Sequence, residues 1–432
     1  MSNSFMARRL EDMNEKLLHT PEGVRDIYDL EFKRKLKVLE HIHHVLLLYS
    51  YQDISTPTFE YFDIFNMDKG SAPSNEMYKF FDRNNNTLVL RPDMTPSVAR
   101  CVAKYYSDVD LPIRLCYSGN TFINAPLHQG KLNEVTQVGC ELINDDSSAA
   151  DAEIIACVIS CLKEAGLKEF QIEIGEIDYF KGIIEEAGIN KETEDRIREL
   201  IHIKNFFGLS EFVSSLNIDE KIKKAISGFN MLFGGLEMLD KAGELVNNAR
   251  SIEAIERMKR VYYALSAYGF EKYVSFDLSM INRYNYYTGI IFRGYTYGTG
   301  DAIVKGGRYN NLMEKFGKDA PAVGFAIYVD ELMSAISRNK IEIELDYSNI
   351  LILYEREQQK SAIELATYYR EKNKKIELIR KSAKHSISDY IDYAKKLHFS
   401  GVYVVKDNEK LDIYSLINEN VTETDIKTLK SF

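Results

Sequence analysis

The sequence predicts an α+β chain: an antiparallel sheet flanked by helices, with a helical insertion inside it and a C-terminal α/β domain after it. Three observations carry this reading. Short runs of alternating hydrophobicity, separated by turn-forming residues, recur before residue 178 and again between 273 and 336. Residues 178–262 instead keep helical spacing almost throughout, broken at Gly208, Asn217–Asp219, Gly228 and Gly234–Gly235. Beyond an acidic stretch at Ile341–Ser348, strand-like and helix-like runs alternate, as expected of a small α/β unit with a mainly parallel sheet. The expected domains are therefore 1–335, a core containing the 178–262 insertion, and 345–432.

Taken in order, residues 31–51 place apolar side chains at helical spacing and lead into a strand, ISTPTFEYFDIF, which Pro57 marks as an edge. TLVLRPDMTPSVARCVAKYY reads as a strand ending at Arg91-Pro92 and a helix with Thr95 as cap and Pro96 in its first turn. Residues 117–143 read as two strands joined by a polar turn. SSAADAEIIACVISCLKEAG is an amphipathic helix, and QIEIGEI is a strand. After the insertion, YVSFDLSMI, YTGIIFRGYTY and GDAIVKGGRY are strands, and PAVGFAIYVDELMSAI begins as one and continues as a helix. In the C-terminal part, NILILY, KIELIRK and GVYVVK are strands separated by helices at Gln358–Lys372 and Ser386–Leu397.

At 432 residues and net charge −10, the chain offers no global field for nucleic acid or an anionic membrane. Its five cysteines include no C-x-x-C pair, which fits reduced thiols in the cytoplasm. No apolar run approaches the roughly 18 residues of a membrane span. The expectation is a soluble cytoplasmic protein with no nucleic-acid or membrane partner, no cofactor and no metal.

Gln137, Gly139 and Glu141 fall at i, i+2 and i+4 of one predicted strand, so they share a sheet face. An amide and a carboxylate flanking a glycine gap suit a small cation lying across the strand, and the alternative is a solvated face. Tyr286 and Tyr287 offer amphipathic rings at a strand start, with sheet packing as the blander reading. His41 and His44 stand three apart on a helix but lack a carboxylate at matching spacing, so a surface helix is expected there rather than a metal site. Gly298–Gly300 and Gly306–Tyr309 lack the order of a phosphate loop and read better as tight turns.

TPEGVRD, STPTFE, LRPDMTPSVAR, RLCYSGNTF, QVGCELI, ADAEII, DLSMINRYNYYTG, GGRYNNL and PAVGFAIYVDEL occur in the order and rough spacing of the histidyl-tRNA synthetase catalytic core. The resemblance covers most of residues 20–335 outside the insertion. It implies a class II aminoacyl-tRNA synthetase-like fold, usually dimeric, with STPTFE similar to the dimer-forming first motif and 345–432 resembling an anticodon-binding domain. The departures concern phosphate. Where that family places its catalytic arginines, this chain has Ile123, Asn282 and Glu331. Losing two phosphate anchors costs roughly 3 to 6 kcal/mol of binding. A carboxylate about 4 Å from a phosphate adds a repulsion of roughly 4 kcal/mol at an effective dielectric near 20.

The amino-acid side is better kept. The resemblance implies a histidine pocket in which Asp93, Thr95, Gln137, Gly139 and Glu141 face the ammonium, Tyr286 and Tyr287 lie beside the imidazole, and Arg283 or Arg308 is the candidate carboxylate partner. A kept pocket with lost arginines resembles the family of ATP phosphoribosyltransferase regulatory subunits. That implies no catalytic residues, assembly with a short-form catalytic subunit, L-histidine as effector in feedback inhibition, and a homodimer within a hetero-oligomer. The alternatives are a histidine-tRNA ligase and a free-standing histidine sensor.

Overall fold

Along residues 137–142 polar or small residues alternate with Val138, Cys140 and Leu142, and a strand turns these two sets to opposite faces. The computed structural model describes residues 17–66, 72–124, 132–281, 287–406 and 410–430, and places this strand inside a nine-stranded sheet. In chain order the strands are β1 (Gln52–Asp53), β2 (Phe59–Tyr61), β3 (Lys79–Phe81), β4 (Thr87–Leu90), β5 (Ile113–Phe122), β6 (Glu134–Ile143), β7 (Phe170–Glu176), β8 (Phe233–Gly234), β9 (Val274–Asp277), β10 (Ile290–Thr296), β11 (Val304–Arg308) and β12 (Ala322–Tyr328). The large sheet runs β1-β5-β6-β12-β11-β10-β7-β9-β8.

Pairing is antiparallel from β5 to β7, as the sequence leads one to expect. Two pairs, β1 with β5 and β7 with β9, are parallel. Side chains alternate with the same period in both kinds of ladder, so hydrophobic pattern cannot tell them apart. Strands β2, β4 and β3 form a separate small sheet. The stretch read as one strand around Pro57 therefore holds only β2, followed by a short helix at Asp63–Asn66.

Behind the large sheet, Val138, Cys140, Leu142, Phe292, Phe325 and Ile327 pack with Ile154, Ile155, Val158 and Ile159 of the helix Ser148–Glu164. The helices between Ile177–Ala187 and Ala249–Ala267 add Ile197, Leu200, Leu209, Val213 and Leu239 to this same cluster. They share the core of the sheet instead of owning one, because short amphipathic helices bury only a stripe each. Asn190, Asn205, Asp219 and Asn248 each accept a backbone N–H at a helix start, which is why the breaks between these helices are sharp.

Residues 28–33 group with 344–432 as a second compact unit, apart from the unit formed by 34–343 and the chain before residue 28. The second unit holds β13 (Ile350–Tyr354), β14 (Ile376–Arg380), β15 (Gly401–Val405), β16 (Lys410–Ser415) and β17 (Asn420–Asp425) in the order β14-β13-β15-β16-β17. Strand β13 is parallel to both neighbours, while β15, β16 and β17 pair antiparallel. The sheet is thus mixed where a mainly parallel one is expected. The missing hairpin partner is legible in retrospect: β17 is exposed on nearly all its residues, so it carries no apolar alternation. Ile350 and Ile352 face Ala362 and Leu365 on one side, and Leu351 and Leu353 face Tyr390 and Ala394 on the other. No described helix is long and apolar enough to cross a membrane.

Candidate functional site

The front face of the large sheet holds two buried polar residues of β6, Gln137 and Glu141. Register places Gly119, Tyr117 and Leu115 of β5 beside Gln137, Gly139 and Glu141, and Tyr328, Ala326 and Gly324 of β12 on the other side of them. Glu141 is 1% exposed. One of its oxygens accepts hydrogen bonds from the Thr95 hydroxyl at 2.9 Å and the Tyr117 phenol at 3.1 Å, and the other accepts from the Tyr309 phenol. Burial pushes this carboxyl up to about 8; the three hydroxyl donors pull against that shift, and the nearby charge of Asp93 adds to it.

Gln137, also buried, leaves its side-chain oxygen without a hydrogen-bond partner among the described residues. A buried acceptor left unmatched costs about 1 to 3 kcal/mol, so the site lacks an N–H donor on this strand face. Asp93 receives the backbone N–H of Met94 at 2.7 Å at the start of the helix Thr95–Tyr105. Thr95 is consequently not the cap expected from sequence: it is the first helical residue, and its hydroxyl is free to reach Glu141. Burial pushes the phenols of Tyr117, Tyr287 and Tyr328 up; the charge of Glu141 and then of Asp93 adds to this at Tyr117, and that of Asp93 at Tyr287 and Tyr328.

Two glycines shape this centre. The gap at Gly139 does not open onto a ligand: a Cβ there would meet the Tyr117 phenol oxygen at 2.7 Å and the Phe325 carbonyl at 2.1 Å. Gly139 makes room for the ring that bonds Glu141, so it acts through Tyr117. Gly324 does the same for Glu141 itself, since a Cβ would stand 1.6 Å from a carboxylate oxygen. Gly324→Ala is expected to displace Glu141 and cost about 1 to 3 kcal/mol of stability, read as a lower urea midpoint.

Arg308 is not a carboxylate partner. It is 2% exposed, and its guanidinium donates to Asp151 at 2.9 and 2.7 Å and to the Asp145 carbonyl at 2.9 Å. It fastens β11 to the helix Ser148–Glu164, behind the pocket. Tyr287 is half-buried and packs against the cluster that contains Tyr117 and Tyr309. Asn282, Arg283 and Tyr286 lie outside the described residues.

The histidyl-tRNA synthetase family profile matches residues 23–332. The chain is 37% identical to the ATP phosphoribosyltransferase regulatory subunit of Acetivibrio thermocellus, over 96% of this chain and 99% of that one. It is 39% identical to the regulatory subunit of Ruminiclostridium cellulolyticum, again over 96% of this chain and 99% of that one. The chain belongs to the family of ATP phosphoribosyltransferase regulatory subunits. Among solved structures, a protein of Bacillus halodurans described as ATP phosphoribosyltransferase regulatory subunit/histidyl-tRNA synthetase superposes with a TM-score of 0.80 at 33% identity, covering 87% of this chain and 96% of that one. A histidyl-tRNA synthetase of Nostoc superposes at 0.79 with 19% identity, covering 96% of this chain and 98% of that one, which shows the shared class II fold.

Of the positions where the resemblance implies a lost arginine, Ile123 and Glu331 are described. Ile123 packs on the apolar cluster of Phe65, Ala72, Met77 and Val89. The helix Val329–Arg338 carries Asp330 and Glu331 in its first turn, so the positive end of its dipole already meets two acids. Asp330 is held by Lys35 at 2.8 Å and by the Thr136 backbone N–H at 2.7 Å.

The other sequence candidates fall elsewhere. His41 bonds the Glu164 carbonyl at 3.1 Å. Gly306 and Gly307 are strand residues of β11, correcting the expected turn, whereas Gly298, at φ +86°, sits in the turn after β10. Sequence reasoning missed Tyr117, Tyr309 and Gly324. Tyr117 was within reach, because it lies directly opposite Gly139 in the hairpin; Tyr309, at the start of the short helix after β11, and Gly324 of β12 stand 168 or more residues from Glu141.

Proposed function

We propose that this chain acts as the regulatory subunit of an ATP phosphoribosyltransferase, binding L-histidine in the front-face pocket and catalysing no aminoacylation itself. The observation that carries the proposal is the buried pair of acceptors on β6: the unmatched Gln137 oxygen and the Glu141 carboxyl. An α-ammonium supplies the N–H donors and the positive charge that both need. The partner is a short-form catalytic subunit, and the working assembly is a homodimer of this chain within a cytoplasmic hetero-oligomer. Regulation then requires only that histidine bind two assembled states with different affinity, a coupling of typically about 1 to 3 kcal/mol.

The test is a pair of measurements on the purified chain and on its complex with a short-form phosphoribosyltransferase. Histidine at about 100 times its dissociation constant is expected to stabilise by about 2.7 kcal/mol in thermal melting, and ATP alone to leave the free chain unchanged. Histidine-dependent exchange of pyrophosphate into ATP is expected to be absent. Measurable exchange would establish a histidine-tRNA ligase instead, and full histidine response with no association to the catalytic subunit would establish a free-standing sensor.

A further inference from the structure

We propose that His43, Asp53 and Cys116 form a binding site for one divalent transition-metal ion of the zinc class. Their donor atoms all lie within 4.8 Å of one another. The His43 Nε2 stands 2.8 Å from an Asp53 carboxylate oxygen, and the Cys116 thiol donates to that same oxygen at 3.6 Å. Three different elements supply them. Asp53 and Cys116 are directly paired neighbours on the parallel strands β1 and β5, and His43 projects from the helix Asp29–Leu48. The pairing of β1 with β5 holds two of the donors whether or not an ion is present.

The surroundings suit an ion with an open coordination position. The cluster lies at a cleft of about 670 Å³ lined by Leu36, Leu39, Glu40, His43, Asp53 and Ile54, among others. Cys116 is buried beneath it while His43 and Asp53 remain partly exposed, which gives a floor ligand and two rim ligands. Donors around a tetrahedral zinc, bonded at about 2.0 to 2.3 Å, lie roughly 3.3 to 3.8 Å apart. The cluster reaches that spacing by small side-chain rotations. A water is the natural fourth ligand, because Glu40, also at the cleft, is paired with Lys37 at 2.9 Å. One nitrogen, one carboxylate and one sulfur favour zinc over calcium or magnesium, which take oxygen ligands.

The binding step balances without an oxidant or reductant. The Sγ–H bond of Cys116 breaks, the sulfur keeps the electron pair and bonds the ion, and the proton leaves to solvent. His43 binds through the lone pair of neutral Nε2, with its proton on Nδ1. Affinity accordingly rises with pH. The arrangement does not suit a nucleophilic cysteine, because the thiol donates to the carboxylate and not to the imidazole.

Cobalt(II) titrated into the full chain is the probe, followed by competition with zinc against a chromophoric chelator. One equivalent is expected to bind with a thiolate-to-cobalt charge-transfer band, which zinc then displaces. Cys116→Ser removes the band. His43→Ala and Asp53→Asn, both at partly exposed positions that leave the core untouched, are expected to weaken zinc binding by at least the roughly 10- to 100-fold that even outer-sphere partners contribute. His41→Ala and His44→Ala leave the affinity unchanged. The proposal is overturned if the intact chain shows no charge-transfer band at one equivalent, or if His43→Ala and Asp53→Asn bind zinc as tightly as the parent.

Discussion

Histidine affinity is expected to rise about tenfold per pH unit below pH 8 and to flatten above it, and Glu141→Gln is expected to abolish both the slope and most of the binding. The reason is a coupled proton. Burial holds Glu141 up to about 8, from an ordinary value of 4.5, so near neutral pH the carboxyl keeps its proton. An ammonium is held well only by the carboxylate, so docking expels that proton, and one proton released per ligand gives a slope of one decade per unit. Stability of the chain itself responds to pH with the opposite sign. Between 4.5 and about 8 the folded state holds a proton that the unfolded chain has released, so stability falls as pH rises through this window. Calorimetry in two buffers of different ionisation enthalpy reads the released proton directly. A flat affinity from pH 6 to 8, with no proton released, would rule out Glu141 as the ammonium's partner.

Asp151→Asn is expected to cost about 3 to 5 kcal/mol of stability, the usual consequence of leaving a buried charge without its partner. Asp151 is fully buried and receives Arg308 on one oxygen, at 2.7 and 2.9 Å, and Arg257 on the other at 2.8 Å. Removing the charge strands Arg308, itself 2% exposed, with only the exposed Asp146 at 3.2 Å to balance it. Urea unfolding of the variant measures the loss. A change below about 1 kcal/mol would mean that Arg308 relaxes to solvent, and would reopen its candidacy as a ligand contact.

Part of the surroundings of Glu141 was legible because Gln137 and Glu141 sit on one strand. Period-two spacing alone puts Gln137 and Glu141 on a shared face, and β6 does so. The same reasoning misjudged Gly139, since a glycine gap tells only that something lies close, and here it is the Tyr117 ring of the neighbouring strand. It also misjudged Arg308. An arginine near a pocket in sequence reads as an anion ligand until its burial partner, 157 residues away, is seen.

The sequence by itself determined the alternating strands, the helical stretch and the absence of arginines at 123, 282 and 331, because these are properties of local spacing and residue identity. Only the tertiary structure decided what surrounds Glu141. Its three hydroxyl donors come from a helix, a hairpin partner and the residue that follows β11, far along the chain. A carboxyl's charge state depends on the dielectric and donors that these segments jointly impose, and no stretch of chain carries that information alone.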